Sequence, residues 1–183
     1  YDGVNAPSMV ADINPSGNGY PSDLTVFNNE LYFEADDGTN GDELWMYDGV
    51  NAPSMVADIN PSGNSDPSDL TVFNNKLYFG ATDGTNGYEL WKYNGVNAPS
   101  MVADINPSGS SYVGSLTVFN NELYFGATDG FNGGELWMYD GVNAPSMVAD
   151  INPSGSSSVG SLTVFNNELY FGATDGTNGE LWK

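Results

Sequence analysis

The sequence contains no cysteine, no histidine and no arginine, and its only basic side chains are Lys76, Lys92 and Lys183. Without cysteine and histidine there is no disulfide framework, no Ser-His-Asp or Cys-His pair and no ordinary zinc site. Nucleic acid is excluded as a partner because phosphate contacts are made chiefly by Arg and Lys. The guanidinium clamps and P-loop lysine of nucleotide sites are missing for the same reason. Paired carboxylates, tyrosine and a few lysines remain for catalysis.

Long hydrophobic runs are also missing. No 18-residue apolar run exists, so no membrane insertion is predicted. The N-terminus has no charged segment followed by an apolar one, and a secretion signal is expected to lie outside this segment. The formal net charge of -21 predicts repulsion from anionic membrane surfaces.

What the sequence does contain is a repeat. Division at Tyr1, Tyr47, Tyr93 and Tyr139 gives units 1–46, 47–92, 93–138 and 139–183, three of 46 residues and a last of 45. A period of this length predicts a solenoid, a propeller or an array. With 39% hydrophobic and 13% aromatic residues, a packed core is expected. We therefore predict a single repeat domain over 1–183.

Each unit reads as four short strands: "LTVF", "LYFGAT", "ELWKY" and "MVADI". Asn28 and Asn29 predict a two-residue hairpin that pairs strands one and two, because Asn tolerates positive φ. The expected partners across this hairpin are Val26 with Leu31, Thr25 with Tyr32 and Leu24 with Phe33. Large side chains on both faces predict that each sheet is sandwiched between neighbours.

This pattern predicts an all-β fold, a β-propeller of four four-stranded blades. The C-terminus supplies three strands of a blade and residues 9–13, "MVADI", supply the missing fourth. The predicted ring is closed by this N-terminal strand, which brings Lys183 to Tyr1. The alternative is that the same segment is donated to a neighbouring molecule, as in strand-addition assembly.

The phrase "ELW", two residues, then "DG" stands at residues 43–49 and 135–141, and with Asn for Asp at 89–95. It resembles the ELWxxDGT repeats of secreted bacterial proteins, although Val replaces the threonine. The strand order resembles kelch-type blades. The resemblance covers the whole chain and implies a propeller-like array, and it specifies no activity.

The loop "D-G-x-N-G" and the glutamate after it form the candidate metal site. Carboxylates, an amide carbonyl and glycine-rich backbone supply the oxygen ligands that Ca²⁺ requires. The alternative is an Asx-turn with an acidic strand start. The candidate residues are Asp37, Asn40 and Glu43; Asp83, Asn86 and Glu89; Asp129, Asn132 and Glu135; and Asp175, Asn178 and Glu180. The acidic set Asp12, Asp58, Asp104 and Asp150 could reach the same face as these loops. It could also cap its own loop through backbone N–H groups, which is the favoured alternative.

Aromatic residues offer a second kind of site. The strand residues Trp45 and Tyr32, with their counterparts, are expected to pack between blades rather than to stack on sugars. The loop residues Tyr20, Tyr88, Tyr112 and Phe131 are better ligand candidates. They lie in the loops that differ most between copies, and these loops are predicted to share one face.

The sequence favours a non-enzymatic, extracellular or cell-surface module that is structural or adhesive and calcium-supported. Its expected partners are further copies of itself or a cell-surface glycan, and a surface array or fibre is one outcome. A carbohydrate-binding lectin that uses the variable face is the alternative, and a designed or consensus propeller is a third. A glycosidase-like Asp and Glu pair is disfavoured because four near-identical pairs leave no singular pocket.

Overall fold

The computed structural model describes residues 3–183, so the predicted meeting of Lys183 with Tyr1 falls outside the described residues. Strands make up all of the regular secondary structure in this range, and none of it is a helix that is long and apolar enough to cross a membrane. The strands are β1 Ser22–Phe27, β2 Glu30–Asp36, β3 Asp42–Tyr47, β4 Ser54–Ala57, β5 Ser68–Phe73, β6 Lys76–Thr82, β7 Tyr88–Tyr93, β8 Ser100–Ala103, β9 Gly114–Phe119, β10 Glu122–Thr128, β11 Gly134–Tyr139, β12 Ser146–Ala149, β13 Gly160–Phe165, β14 Glu168–Thr174 and β15 Gly179–Trp182.

The strands form four antiparallel sheets in chain order. Sheet 1 is β1-β2-β3-β4, sheet 2 is β5-β6-β7-β8, sheet 3 is β9-β10-β11-β12, and sheet 4 has the three strands β13-β14-β15. The predicted all-β fold is confirmed, and the predicted four strands are present in the first three sheets. Each sheet is a simple meander, which is the form of a propeller blade.

The Asn-Asn hairpin has the predicted turn and most of the predicted pairs. Asn28 and Asn29 have φ of 49° and 65°, and Val26 lies opposite Leu31. The predicted pairing of Leu24 with Phe33 is wrong. A β-bulge lies between Ser22 and Thr25, and Asp23 within it has a φ of 52°. The extra residue shifts the register, as a bulge does.

Successive sheets pack face to face through their apolar side chains. One core cluster joins Tyr32 and Leu44 of sheet 1 with Leu77 and Phe79 of sheet 2, and sheets 2 and 3 share an equivalent cluster. The first strands are also linked, since the Thr25 hydroxyl donates to the Leu70 carbonyl at 2.9 Å. The same bond recurs between the next sheets. The Thr71 hydroxyl of sheet 2 donates to the Leu116 carbonyl of sheet 3, and the Thr117 hydroxyl of sheet 3 donates to the Leu162 carbonyl of sheet 4. The structure is therefore propeller-like, with the first strands of neighbouring sheets side by side.

The described residues do not show the predicted ring closure. Residues 9–13 are not a strand, and the side chain of Met9 is 78% exposed. Instead, Ile13 packs on the outer face of sheet 1, against Phe33 and Trp45. Closure requires the outer faces of sheets 1 and 4 to meet, yet Leu24 of sheet 1 and Leu181 of sheet 4 are both exposed. Sheet 4 accordingly keeps an open edge at β15.

Candidate functional site

The "D-G-x-N-G" loops are Asx-turns. In the first loop, one carboxylate oxygen of Asp37 accepts the backbone N–H groups of Thr39 and Asn40, both at 2.8 Å. The other oxygen accepts the Asn40 side-chain amide at 2.7 Å. The Asn40 backbone N–H is the main cause that lowers the pKa of Asp37. Asp83 and Asp129 make the same three kinds of bond, to Thr85 and Asn86 and to Phe131 and Asn132.

The glutamates that follow these loops are buried and serve a different loop. Glu43 is fully buried, and its carboxylate accepts the Ile59 backbone N–H at 2.9 Å and the Ser65 hydroxyl at 2.7 Å. Burial raises the pKa of Glu43, although these bonds oppose the shift. Glu89 and Glu135 are also fully buried and hold Ile105 with Ser111 and Ile151 with Ser157. Each glutamate thus fastens one sheet to the loop that leads into the next repeat.

The predicted ligand sets therefore divide between two networks. Asp37 and Asn40 bond to each other, whereas Glu43 bonds to residues 59–65 of the following loop. The last set differs again, because Glu180 is exposed while its three counterparts are buried. The Asp and Glu of each loop were also considered as a glycosidase-like acid/base pair, and they too belong to different hydrogen-bond networks. Calcium binding by these residues stays a prediction.

The loop between repeats is capped by asparagine. The Asn60 side chain accepts the Ser62 backbone N–H at 3.2 Å and donates to the Asn64 carbonyl at 2.6 Å. The capping role predicted for Asp12, Asp58, Asp104 and Asp150 is wrong, because the asparagine two residues later performs it in each repeat. Asp58 itself is exposed.

The two variable loops of a repeat lie side by side. A polar groove of about 440 Å³ separates the turn of sheet 1 from the loop that follows β4. Asp36 and Asn40 line it from one side, and Asp58 and Asn64 line it from the other. The backbone N–H of Ser65 donates to the Asp42 carbonyl at 2.9 Å and joins the loops at their base. The predicted shared face of these loops is confirmed.

One acidic cluster was not predicted from the sequence. Glu34, Asp42 and Asp66 place carboxylate oxygens within 4.8 Å of one another. Burial raises the pKa of Glu34 and of Asp42, and neighbouring carboxylates add to both shifts. A comparison of the repeats could have revealed the cluster, because these positions are acidic only in the first repeat. Gly80 stands where sheet 1 has Glu34, and Tyr88 stands where it has Asp42. The cluster is thus specific to the junction of sheets 1 and 2.

The strand aromatics pack in the core, as predicted. Trp45, Trp91 and Trp137 are each 8% exposed, and Tyr32 and Tyr78 lie in contact with tyrosines of the next sheet. They offer no sugar platform in the first three sheets. The loop aromatics differ in their exposure to solvent. Tyr88 packs near Gly80 and bonds to Ser68 at 2.6 Å, whereas three others are exposed: Tyr20, Tyr112 and Phe131.

Comparisons with known proteins describe the fold and no activity. No protein-family model matches the chain, and no curated protein matches it. A structure from a study of two prolyl endopeptidases matches with a TM-score of 0.56 and 8% identity. The match covers 90% of this chain and only 26% of that one, so the chain spans about a quarter of that enzyme. At this identity the likeness concerns the arrangement of strands alone.

Two glycoside hydrolases match less well. Zg3597, a family 117 enzyme of the marine bacterium Zobellia galactanivorans, has a TM-score of 0.43 and 13% identity over 80% of this chain and 51% of its own. The catalytic domain of a Coprinopsis cinerea GH62 α-L-arabinofuranosidase has a TM-score of 0.43 and 15% identity, covering 92% of this chain and 71% of its own.

Proposed function

We propose that this chain is a non-enzymatic structural or adhesive module of the extracellular space or cell surface, which acts by self-association through its repeated sheets. The observation that carries the proposal is that successive near-identical sheets bind one another face to face through equivalent apolar clusters. A face that packs against its own repeat is also complementary to the same repeat in another copy.

The state of the acidic groups supports a role without catalysis. A general acid needs a proton that substrate can reach, whereas Glu43, Glu89 and Glu135 are fully buried and bonded to backbone. The aspartates of the turns are bonded within their own loops and have lowered pKa values, for example Asp37. The buried glutamates and the turn aspartates therefore both hold loops in place.

Self-association is tested by sedimentation velocity over a hundredfold range of concentration. We expect the average mass to rise with concentration. The formal net charge of -21 opposes contact between copies, so association should strengthen as salt screens this repulsion. A constant monomer mass in both low and high salt contradicts the proposal.

Calcium support is a separate part of the proposal. The groove beside Asp36, Asn40 and Asp58 offers oxygen ligands of the kind that Ca²⁺ takes. Each occupied site would stabilise the fold by about 1.4 kcal/mol at tenfold excess over Kd. We expect a chelator to lower the melting temperature and added Ca²⁺ to restore it. Unchanged unfolding in both solutions removes calcium from the proposal and leaves self-association in place.

A lectin function is the second candidate, and the exposed loop aromatics favour it. Tyr20, Tyr112 and Phe131 are 68%, 75% and 86% exposed. Aromatic rings in such positions provide large contact area for a ligand with one apolar face. A glycan array decides between the two: selective sugar binding that Tyr112→Ala weakens supports the lectin, and no selective binding leaves the structural module.

A further inference from the structure

The second repeat differs from the others at the start of its second strand. This strand begins with Lys76 in sheet 2 and with glutamate in the other sheets, at Glu30, Glu122 and Glu168. A second lysine of the same sheet, Lys92, is half-buried, as Lys76 is. In the described part of the chain neither lysine forms an ion pair. Two cations are thus without a carboxylate in a chain whose formal net charge is -21.

In the other repeats the glutamate is the acceptor for a tyrosine. The Tyr32 hydroxyl donates to Glu30 at 2.7 Å, and the Tyr124 hydroxyl donates to Glu122 at the same distance. Tyr32 is only 1% exposed, so its hydroxyl depends on this carboxylate and not on water. Buried polar groups nearly always have such a partner, because leaving one unpaired is costly.

Tyr78 has lost this partner and kept its position. Its ring centroid lies 5.7 Å from that of Phe73, as the Tyr32 ring does from Phe27. The centroid distance to the tyrosine of the next sheet is 5.8 Å in both cases. Tyr78 is fully buried, and its hydroxyl has no hydrogen-bond partner among the described residues. The donor is therefore in place and the acceptor is missing.

The neighbouring phenol of Tyr139 does not replace the acceptor. Burial raises the pKa of Tyr78, and Tyr139 adds to the shift. The two hydroxyls nevertheless do not meet the geometry of a hydrogen bond. Tyr78 stays protonated at neutral pH and remains a donor without an acceptor.

Both lysines share a face of sheet 2 with this hydroxyl. Lys92 lies directly opposite Tyr78 in the ladder of β6 and β7, and opposite residues point to the same side of a sheet. Lys76 lies two residues before Tyr78 on β6, which again places it on this side. Two ammonium groups and one phenolic hydroxyl are therefore neighbours on one face.

Sheet 4 shows how a lysine at this position holds a carboxylate. Lys183 has the place in its repeat that Lys92 has in sheet 2. The Lys183 ammonium donates to one oxygen of Glu168 at 2.9 Å, and the Tyr170 hydroxyl donates to the other at 2.7 Å. One carboxylate thus bridges a lysine and a tyrosine through separate oxygens. Sheet 2 has the same lysine and the same tyrosine, and it lacks the carboxylate.

We infer that Lys76, Lys92 and Tyr78 form a binding site for an external carboxylate, which takes the place of the missing glutamate. One carboxylate oxygen accepts from Tyr78 and the other from Lys92, in the arrangement of sheet 4. The Lys76 ammonium adds a second positive charge. Hydrogen bonds between charged partners are the strong ones. The site goes beyond the proposed structural role, because it takes a ligand and not another copy of the chain.

The hairpin tips at this end of sheet 2 are exposed. Asn74 and Asn75 precede Lys76, and Asn94 follows two residues after Lys92. The lysine side chains are flexible and can rotate to admit a ligand. Because the tyrosine hydroxyl is buried, the ligand needs a slim stem like that of glutamate. A short unbranched acid has such a stem, and an acidic sugar carries the same carboxylate directly on a ring. Propionate and galacturonate are the corresponding probes.

The small number of lysines permits a direct assay, because the chain has only three. In protein that contains isotopically labelled lysine, the Cε–H signals of each can be followed by nuclear magnetic resonance. Propionate replaces chloride during the titration, so that ionic strength stays constant. We expect saturable shifts of the Lys76 and Lys92 signals. The Lys183 signal is the internal control and should stay in place, because Glu168 already occupies that ammonium.

Two lysine variants copy the other repeats. Lys76→Glu restores the internal carboxylate, so it should abolish propionate binding and raise the melting temperature without ligand. Lys92→Met introduces the residue found at Met46 and Met138. It should weaken binding roughly tenfold, the value of one charge-assisted hydrogen bond.

A pair of tyrosine variants tests the unpartnered hydroxyl in the absence of ligand. Tyr78→Phe keeps the ring and removes a donor that has no acceptor, so the melting temperature should not fall. Tyr32→Phe is the matched control and should lower it, because the bond to Glu30 is lost. Tyr78→Phe should also weaken propionate binding.

Each outcome supports or overturns the carboxylate site. Shifts with propionate alone assign it to short free acids, and stronger shifts with galacturonate assign it to acidic sugars. Equal shifts with sulfate reveal a general attraction of anions and overturn it, as does the absence of any shift with both acids. Binding that persists in Lys76→Glu, or equal losses of stability in Tyr78→Phe and Tyr32→Phe, also overturns it. Self-association is measured separately by sedimentation and is untouched by these results.

Discussion

Replacement of Glu89 should reveal how much the buried carboxylates contribute to the fold. Glu89 is fully buried and accepts the backbone N–H groups of Ile105 and Ser111, both at 2.9 Å. Glu89→Ala leaves the Ile105 N–H without this acceptor, whereas the Ser111 N–H keeps the Tyr88 carbonyl at 2.9 Å. Loss of an acceptor for a buried donor costs about 1–3 kcal/mol. Relief of the buried charge offsets part of this cost, since burial raises the pKa of Glu89. We expect a net destabilisation of about 2 kcal/mol.

The matched control is Glu180→Ala, because Glu180 has the same place in sheet 4 and is exposed. A surface substitution of this kind changes stability by less than about 0.5 kcal/mol. Urea unfolding followed by circular dichroism measures both variants, and an unchanged m-value confirms that the states compared are the same. Equal stability of Glu89→Ala and Glu180→Ala would refute the role assigned to the buried glutamates.

The pH dependence gives an independent check. Because the folded-state pKa of Glu89 is raised, the stability linked to its protonation is fully present below the unfolded-state pKa and is lost as pH rises through the folded-state value. Glu89→Gln removes this titration and keeps one acceptor. The unfolding free energy of the wild type minus that of Glu89→Gln should therefore fall from pH 4 to pH 7. A rise in this quantity over the same range contradicts the assignment.

Three further predictions concern single residues. Glu34→Gln should stabilise the fold by about 1 kcal/mol at pH 7 by removing one charge of the acidic cluster, and the gain should fade at pH 4 and in high salt in thermal unfolding. Asp140→Asn should leave the melting temperature unchanged, because Asn94 makes the same two backbone bonds in another repeat, whereas Asp140→Ala should lower it. That loss should diminish as pH falls through the lowered pKa of Asp140, and a constant loss would argue against the Asx-turn. Gly126→Ala should destabilise by about 2 kcal/mol in urea unfolding, since its new Cβ would lie 2.6 Å from the Val159 carbonyl, while Gly172→Ala, with 3.7 Å to its nearest neighbour, should be tolerated; equal losses would contradict this packing.

Local patterns in the sequence predicted the strands well. The Asn28-Asn29 turn and the pairing of Val26 with Leu31 followed from turn chemistry and alternation, which depend on neighbours in the chain. The bulge at Asp23 was missed because Asp at positive φ carries no strong local signal. The alternation alone predicts a regular ladder, so Leu24 was placed opposite Phe33.

The candidate site was predicted less well because its bonds join separate repeats. Asp37 and Asn40 behave as the Asx-turn alternative describes, which is a local property. Glu43 was placed with them by its spacing, yet its partners Ile59 and Ser65 are 16 and 22 residues away. Ring closure stays a prediction for a related reason: complementary sequences at the two ends show that the strands match, and they do not show that one chain brings them together.

The buried glutamates also bear on how the molecule would carry tension. Each one joins the third strand of a sheet to the loop that opens the following repeat, so neighbouring repeats share hydrogen bonds across their boundary. Under a pulling force, a repeat cannot extend without first breaking the bonds that its neighbour contributes. Each released unit of 46 residues would lengthen the chain by about 150 Å.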